Sequence, residues 1–121
     1  MDITSIVALL EKFSVVSKVE ILTIDEIEKR GFYKVRCLLI PSKFKLDIKF
    51  IKTEKEILYS YQLYAHKAIA RWDNEPHYPD IDNYPHHYHC SKNKVTASQL
   101  SGNPEKDIRK IFSLIPKLLS E

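Results

Sequence analysis

Between Phe44 and Ile51 the chain alternates by parity. Phe44, Leu46, Ile48 and Phe50 fall on one side, and Lys45, Asp47, Lys49 and Ile51 on the other. A strand repeats every two residues, so this pattern gives one apolar face and one largely wet face. Such a strand belongs to an antiparallel sheet packed on one side, since parallel sheets are covered on both faces and read as continuous apolar runs.

The neighbouring segments extend that sheet. Val15, Val16, Val19, Ile21, Leu22 and Ile24 are mostly β-branched and predict a strand. The cluster Asp25, Glu26, Glu28, Lys29, Arg30, Gly31 then reads as a turn. Residues 32–40 (FYKVRCLLI) suit a second strand, which Pro41 and Ser42 break. After the alternating strand, residues 57–64 (ILYSYQLY) form a fourth, with Ile57, Tyr59, Tyr61 and Leu63 on one face. A turn at Ala65 and His66 leads into KAIARW, a fifth strand ending near Trp72. Helices close both ends. Ile3, Ile6, Val7, Leu10 and Phe13 recur at helical spacing, with Asp2 or Thr4 as cap. Ile108, Ile111, Phe112, Ile115, Leu118 and Leu119 do the same, after Asn103 as cap and Pro104 at the first helical position. Pro116 should disturb this second helix. The expected fold class is α+β: an antiparallel β-sheet of four to six strands flanked by N- and C-terminal helices, as a single domain over residues 1–121.

Composition removes several classes of function. With 121 residues the chain can own a core without staples. No apolar run approaches the ~18 residues of a membrane span, and the opening MDITSIVALLEKF does not read as a signal peptide. The expected compartment is the cytoplasm. Cys37 and Cys90 make no disulfide framework or zinc pattern by themselves. The two glycines, Gly31 and Gly102, leave no phosphate-cradling glycine loop. A net charge of +3 permits nucleic-acid binding without announcing it.

One segment departs from the rest. Residues 66–90 hold all five histidines, the only tryptophan, three of seven tyrosines and three of six prolines. Pro76, Pro79 and Pro85 forbid a continuous helix and disfavour an internal strand, so the segment is expected as an ordered loop carrying function. In RWDNEPH, Arg71 and Asp73 share a face if the strand continues and could pair, while Asp73 and Asn74 suit an Asx turn. In PHHYHC, an extended backbone points His87 and His89 to one side and His86 to the other. Two readings stay open. His87 and His89 could bind a divalent metal such as zinc, with His77, Asp73 or Cys90 as third ligand. Without a metal, histidines could serve as acid and base in RNA cleavage. Arg71 or Lys67 would then hold phosphate, and Trp72, Tyr78 and Tyr84 would stack unpaired bases. A plain surface loop would explain the same composition.

YSYQLY at 59–64 followed by ARWDNEPHYPDIDNYPHHYH at 70–89 resembles the TumE-type toxin family of prokaryotic toxin–antitoxin modules. Arg71, Trp72, Asp73, Asn74, Pro76 and His77 match its first element, and Pro85, His86, His87 and His89 its second. Val95, Ser98 and the last helix fit its ending. Tyr88 departs, standing where many relatives carry lysine. The resemblance covers residues 57–119 best. It implies a toxin acting on RNA or translation and a cognate antitoxin partner. A second copy of the chain is the other partner considered, with Tyr59, Tyr61 and Tyr64 as aromatic interface. The expected site is Arg71, Asp73, His77, His86, His87 and His89, converging in one solvent-open cleft.

Overall fold

The computed structural model describes residues 2–120. Helix α1 (Ile3–Leu10) is followed by strands β1 (Val16–Ile27), β2 (Arg30–Leu39), β3 (Lys45–Lys52), β4 (Ile57–Tyr64), β5 (Ala68–Asp73), β6 (His87–His89) and β7 (Val95–Ala97), then helix α2 (Pro104–Leu119). The strands form one antiparallel meander in sequence order.

The parity of the sequence sets the two faces. Tyr33, Val35, Cys37 and Leu39 on β2, Leu46, Ile48 and Phe50 on β3, and Tyr59, Tyr61 and Leu63 on β4 are all buried. Ala70 and Trp72 of β5 and Leu100 join that core, and both helices pack onto it, α1 through Ile6, Leu9 and Leu10, and α2 through Ile108, Ile111, Phe112 and Ile115. Phe13 stacks on Phe112 with ring centroids 4.2 Å apart, joining the end of α1 to α2. The caps are those the sequence predicts. Asp2 accepts from the Thr4 and Ser5 amides, and Asn103 accepts from the Lys106 amide ahead of Pro104. Helix α2 runs on through Pro116 to Leu119.

Several expectations are corrected. The sheet has seven strands, not four to six. The two additions, β6 and β7, are three residues each and exist through pairing with β5 and each other. The fifth strand lies where the sequence puts it, but the rest of residues 66–90 is not loop throughout, since β6 begins two residues beyond Pro85. The acidic cluster at 25–27 is strand, because β1 pairs with β2 down to Ile27 and Arg30, leaving Glu28 and Lys29 as the turn. Glu28 adopts φ 55°, the left-handed backbone that two-residue hairpins require. Tyr59 and Tyr61 are core residues at 3% and 1% exposure, so they offer no interface. Among the described residues, no helix is long and apolar enough to cross a membrane.

Candidate active site

The open face of the sheet carries the polar parity of each strand, and at β5 and β6 that parity selects Arg71, Asp73, His87 and His89. Register places His87 opposite Asp73 and His89 opposite Arg71. The side chains meet. Asp73 Oδ2 accepts from Arg71 Nε at 2.9 Å and lies 3.5 Å from His89 Nε2, while Oδ1 lies 2.8 Å from His87 Nε2. Asp73 Oδ1 also accepts from the Glu75 amide at 3.1 Å, the Asx turn that ends β5.

The backbone beyond Asp73 is held by asparagines. Asn74 imitates a paired strand, its Oδ1 accepting from the Tyr59 amide at 2.8 Å and its Nδ2 donating to the Ile57 carbonyl at 2.9 Å. Asn83, at φ 64°, donates from Nδ2 to the carbonyls of Ser98 and Leu100. Between them the chain descends through tight turns, such as Ile81 to Tyr78 and Tyr84 to Ile81. These clamps return the chain to β5 in the register that presents His87 and His89.

Burial divides the cluster. The Asp73 and His87 side chains are 3% and 2% exposed, whereas His89 is 24% and Arg71 37% exposed. His87 Nδ1 lies 3.1 Å from the Pro85 carbonyl, which can only accept. Its Nε2 faces a carboxylate, which also accepts. Both ring nitrogens thus face acceptors, a backbone carbonyl on one side and the Asp73 carboxylate on the other, which fixes the orientation of the ring. Burial pushes the His89 imidazole below the ordinary histidine value. The Asp73 carboxylate opposes that shift, and the His87 and Arg71 charges add to it. The result is a neutral, reachable imidazole beside a guanidinium whose terminal nitrogens are not needed by Asp73. Tyr78 lies against both rings, its centroid 4.9 Å from His87 and 6.2 Å from His89.

Two expected members lie elsewhere. His86 faces the helix side, where its Nδ1 is 2.8 Å from the Tyr59 hydroxyl. Burial lowers its basicity as well, against the pull of Asp107. His77 is 64% exposed, 3.6 Å from Glu75 Oε2, and reaches the cluster only across the Tyr78 ring. Cys90 turns the β6–β7 hairpin, its amide donating to the Lys94 carbonyl. Trp72 is buried against Tyr88 and cannot stack bases, although Tyr78 and Tyr84 are exposed. A hollow of about 420 Å³ that Trp72, Tyr88 and Leu114 help to line lies under α2, on the face opposite the cluster.

A metal would find its donors here. One oxygen of Asp73 and one nitrogen each of His87 and His89 lie within 4.8 Å of one another. Two histidines and a carboxylate are a known donor set for zinc. The Pro85 carbonyl would then orient His87 from behind, as second-sphere acceptors do. Binding would compete with Arg71 for Asp73.

The fold and cluster define a small α+β protein with a polar site on an uncovered sheet face. The profile described as Toxin TumE matches residues 6–119, nearly the whole chain, and the chain belongs to that family. Membership makes it a toxin component and implies a cognate antitoxin. No curated protein and no solved structure matches it.

Proposed function

We propose that this toxin cleaves RNA at the Arg71–Asp73–His87–His89 cluster. The observation that carries the proposal is the contrast inside the cluster: a buried Asp73–His87 pair supporting two reachable groups of complementary chemistry, His89 and Arg71. His89 takes the proton of a ribose 2′-hydroxyl, and the freed oxygen attacks the adjacent phosphorus. The bond from phosphorus to the 5′ oxygen breaks, and that oxygen receives a proton from a donor on the far side. His77, across Tyr78, is the candidate donor. The Arg71 guanidinium holds the charged phosphorane, a role for which its planar fork is suited. Asp73 and His87 are positioning residues. The products are a 2′,3′-cyclic phosphate and a free 5′-hydroxyl.

The test is incubation of purified toxin with single-stranded RNA and with the same sequence lacking the 2′-hydroxyl. Cleavage confined to the ribose substrate, with a cyclic phosphate end, supports the mechanism. Cleavage of both substrates, or of neither, sinks it. The convergence of three donors favours a second reading, a divalent metal held by Asp73, His87 and His89. Stoichiometric zinc in the purified protein, with activity lost to a chelator and restored by zinc, would replace the first mechanism with this one.

The antitoxin or a second copy would be accommodated at β1. This edge strand leaves Ile21, Leu22, Ile24 and Ile27 between 41% and 70% exposed, an apolar strip beside unpaired backbone groups.

A further inference from the structure

A cross-strand row leads away from the cluster over the open face. His87 faces Asp73, Asp73 faces Ser60, Ser60 faces Lys49, and Lys49 faces Lys34. Like charges directly opposite on antiparallel strands repel. Lys34 and Lys49 nevertheless stand so, and among the described residues no carboxylate lies within 4 Å of either. The acid nearest in sequence on that face, Asp47, is already committed. It takes two hydrogen bonds from Arg36, at 2.9 and 3.1 Å, and one from the Tyr64 hydroxyl at 3.1 Å. Beside the lysines runs a second row, Phe32, Ile51 and Leu58, half-buried on the same face. Both helices pack on the opposite face, so among the described residues neither helix covers these rows.

Paired lysines with no counter-ion, flanked by an aromatic and aliphatic row, match what single-stranded nucleic acid needs: cations for phosphates and an apolar surface for bases. With strands spaced ~4.8 Å apart, Lys49 lies about 10 Å and Lys34 about 14 Å from Asp73 along the row. We propose that this row is a binding lane for single-stranded RNA. Lys34 and Lys49 hold backbone phosphates a few nucleotides from the one that Arg71 receives, and Phe32 supports a base. The lane rests on the RNA reading above and extends it to substrate class, since only a strand reaching beyond the scissile step can occupy it.

The experiment measures affinity for a fluorescent single-stranded 2′-O-methyl oligonucleotide, which cannot be cleaved, across a salt series. In Lys34→Glu/Lys49→Glu, affinity should fall at least tenfold. In Lys34→Ala/Lys49→Ala, which relieves the repulsion and so keeps or raises the thermal midpoint, the logarithmic salt slope should shrink by about 1.4, two single-strand phosphate contacts. Lys106→Glu/Lys110→Glu on α2 makes the same charge change on the other side and should bind nearly as wild type does. Dinucleotide cleavage should be untouched in the alanine pair, while cleavage of longer RNA weakens. The lane is overturned if wild type does not bind, if the alanine pair binds with an unchanged slope, if the α2 variant weakens as much as the glutamate pair, or if the loss is confined to antitoxin binding. A wild type that binds through Lys34 and Lys49 yet cleaves nothing would remove the catalytic mechanism and leave the lane standing.

Discussion

His86 and His87 are chain neighbours with opposite surroundings. His87 turns to the open face and forms a buried pair with Asp73, supporting the half-exposed His89 and Arg71. His86 turns to the helix side and meets the hydroxyl of a core tyrosine, Tyr59. The backbone of β6 enforces the split, because successive residues of a strand point to opposite faces. Equal chemistry in one short motif thus serves two ends, holding an uncovered site on one face and closing the core on the other. Histidine count alone says nothing about which is which; parity does.

The comparison breaks most severely at Asp73. Asp73→Ala leaves the buried His87 ring without its carboxylate partner and frees the end of β5. Breaking a buried pair by removing one partner costs about 3–5 kcal/mol. Chemical denaturation should register that loss, and RNA cleavage and growth inhibition should vanish with it. A variant of wild-type stability would mean that the contacts of Asp73 do not hold the cluster together.

His89 separates chemistry from stability. His89→Ala should lower the cleavage rate by about 10²–10⁴-fold, the usual consequence of losing a general base. Its thermal midpoint should move little, because the side chain is partly exposed and its contact with Asp73 is long at 3.5 Å. Retained activity in this variant would remove His89 from the mechanism. On the other face the effects reverse. Tyr59→Phe deletes only the hydroxyl that meets His86, so stability should drop by about 0.5–1.5 kcal/mol while cleavage stays as in wild type. Loss of cleavage without loss of stability would return His86 to the active site.

Much of this was legible in the chain. The alternation from Phe44 to Ile51 named the covered and open faces of β3, and register carried the same division across β2 and β4. Arg71 and Asp73 at i, i+2 announced their pair, and His87 and His89 their common side. What stayed hidden depends on partners far along the chain. Strands of three residues have no periodicity of their own, so β6 and β7 follow only from their pairing. Gathering all of His77, His86, His87 and His89 into one cleft set aside the parity that the sequence itself shows at His86 and missed the solvent-facing turn at His77. The Lys34–Lys49 opposition could be found only once the β2–β3 register was known. Asn74 was legible as a turn former, but its grip on the Ile57 and Tyr59 backbone was not, and the hold of Asn83 on Ser98 and Leu100 gave no signal in the sequence.

The smallest expected effect is a dependence of stability on pH that both faces share. Burial lowers the basicity of His86, where Tyr59 and Asp107 face it, and of His89, where Asp73, Arg71 and His87 do. In the unfolded chain each imidazole takes up its proton near ~6.5. In the fold each resists until the pH is lower, so in between the unfolded chain binds more protons and stability rises with pH. The contribution of both histidines is therefore complete above the unfolded value and is lost as the pH falls through the folded ones. The thermal midpoint should drop between neutral pH and pH ~5, before carboxylate protonation dominates. His86→Gln and His89→Gln each remove one titrating ring and should each flatten part of that slope. Only His89→Gln should also abolish the acid limb of the cleavage rate, along with most of the rate itself. A midpoint that rises on acidification, or identical slopes in all three proteins, would show that the two imidazoles are not held neutral by burial, and the distinction between the faces would then rest on hydrogen bonding alone.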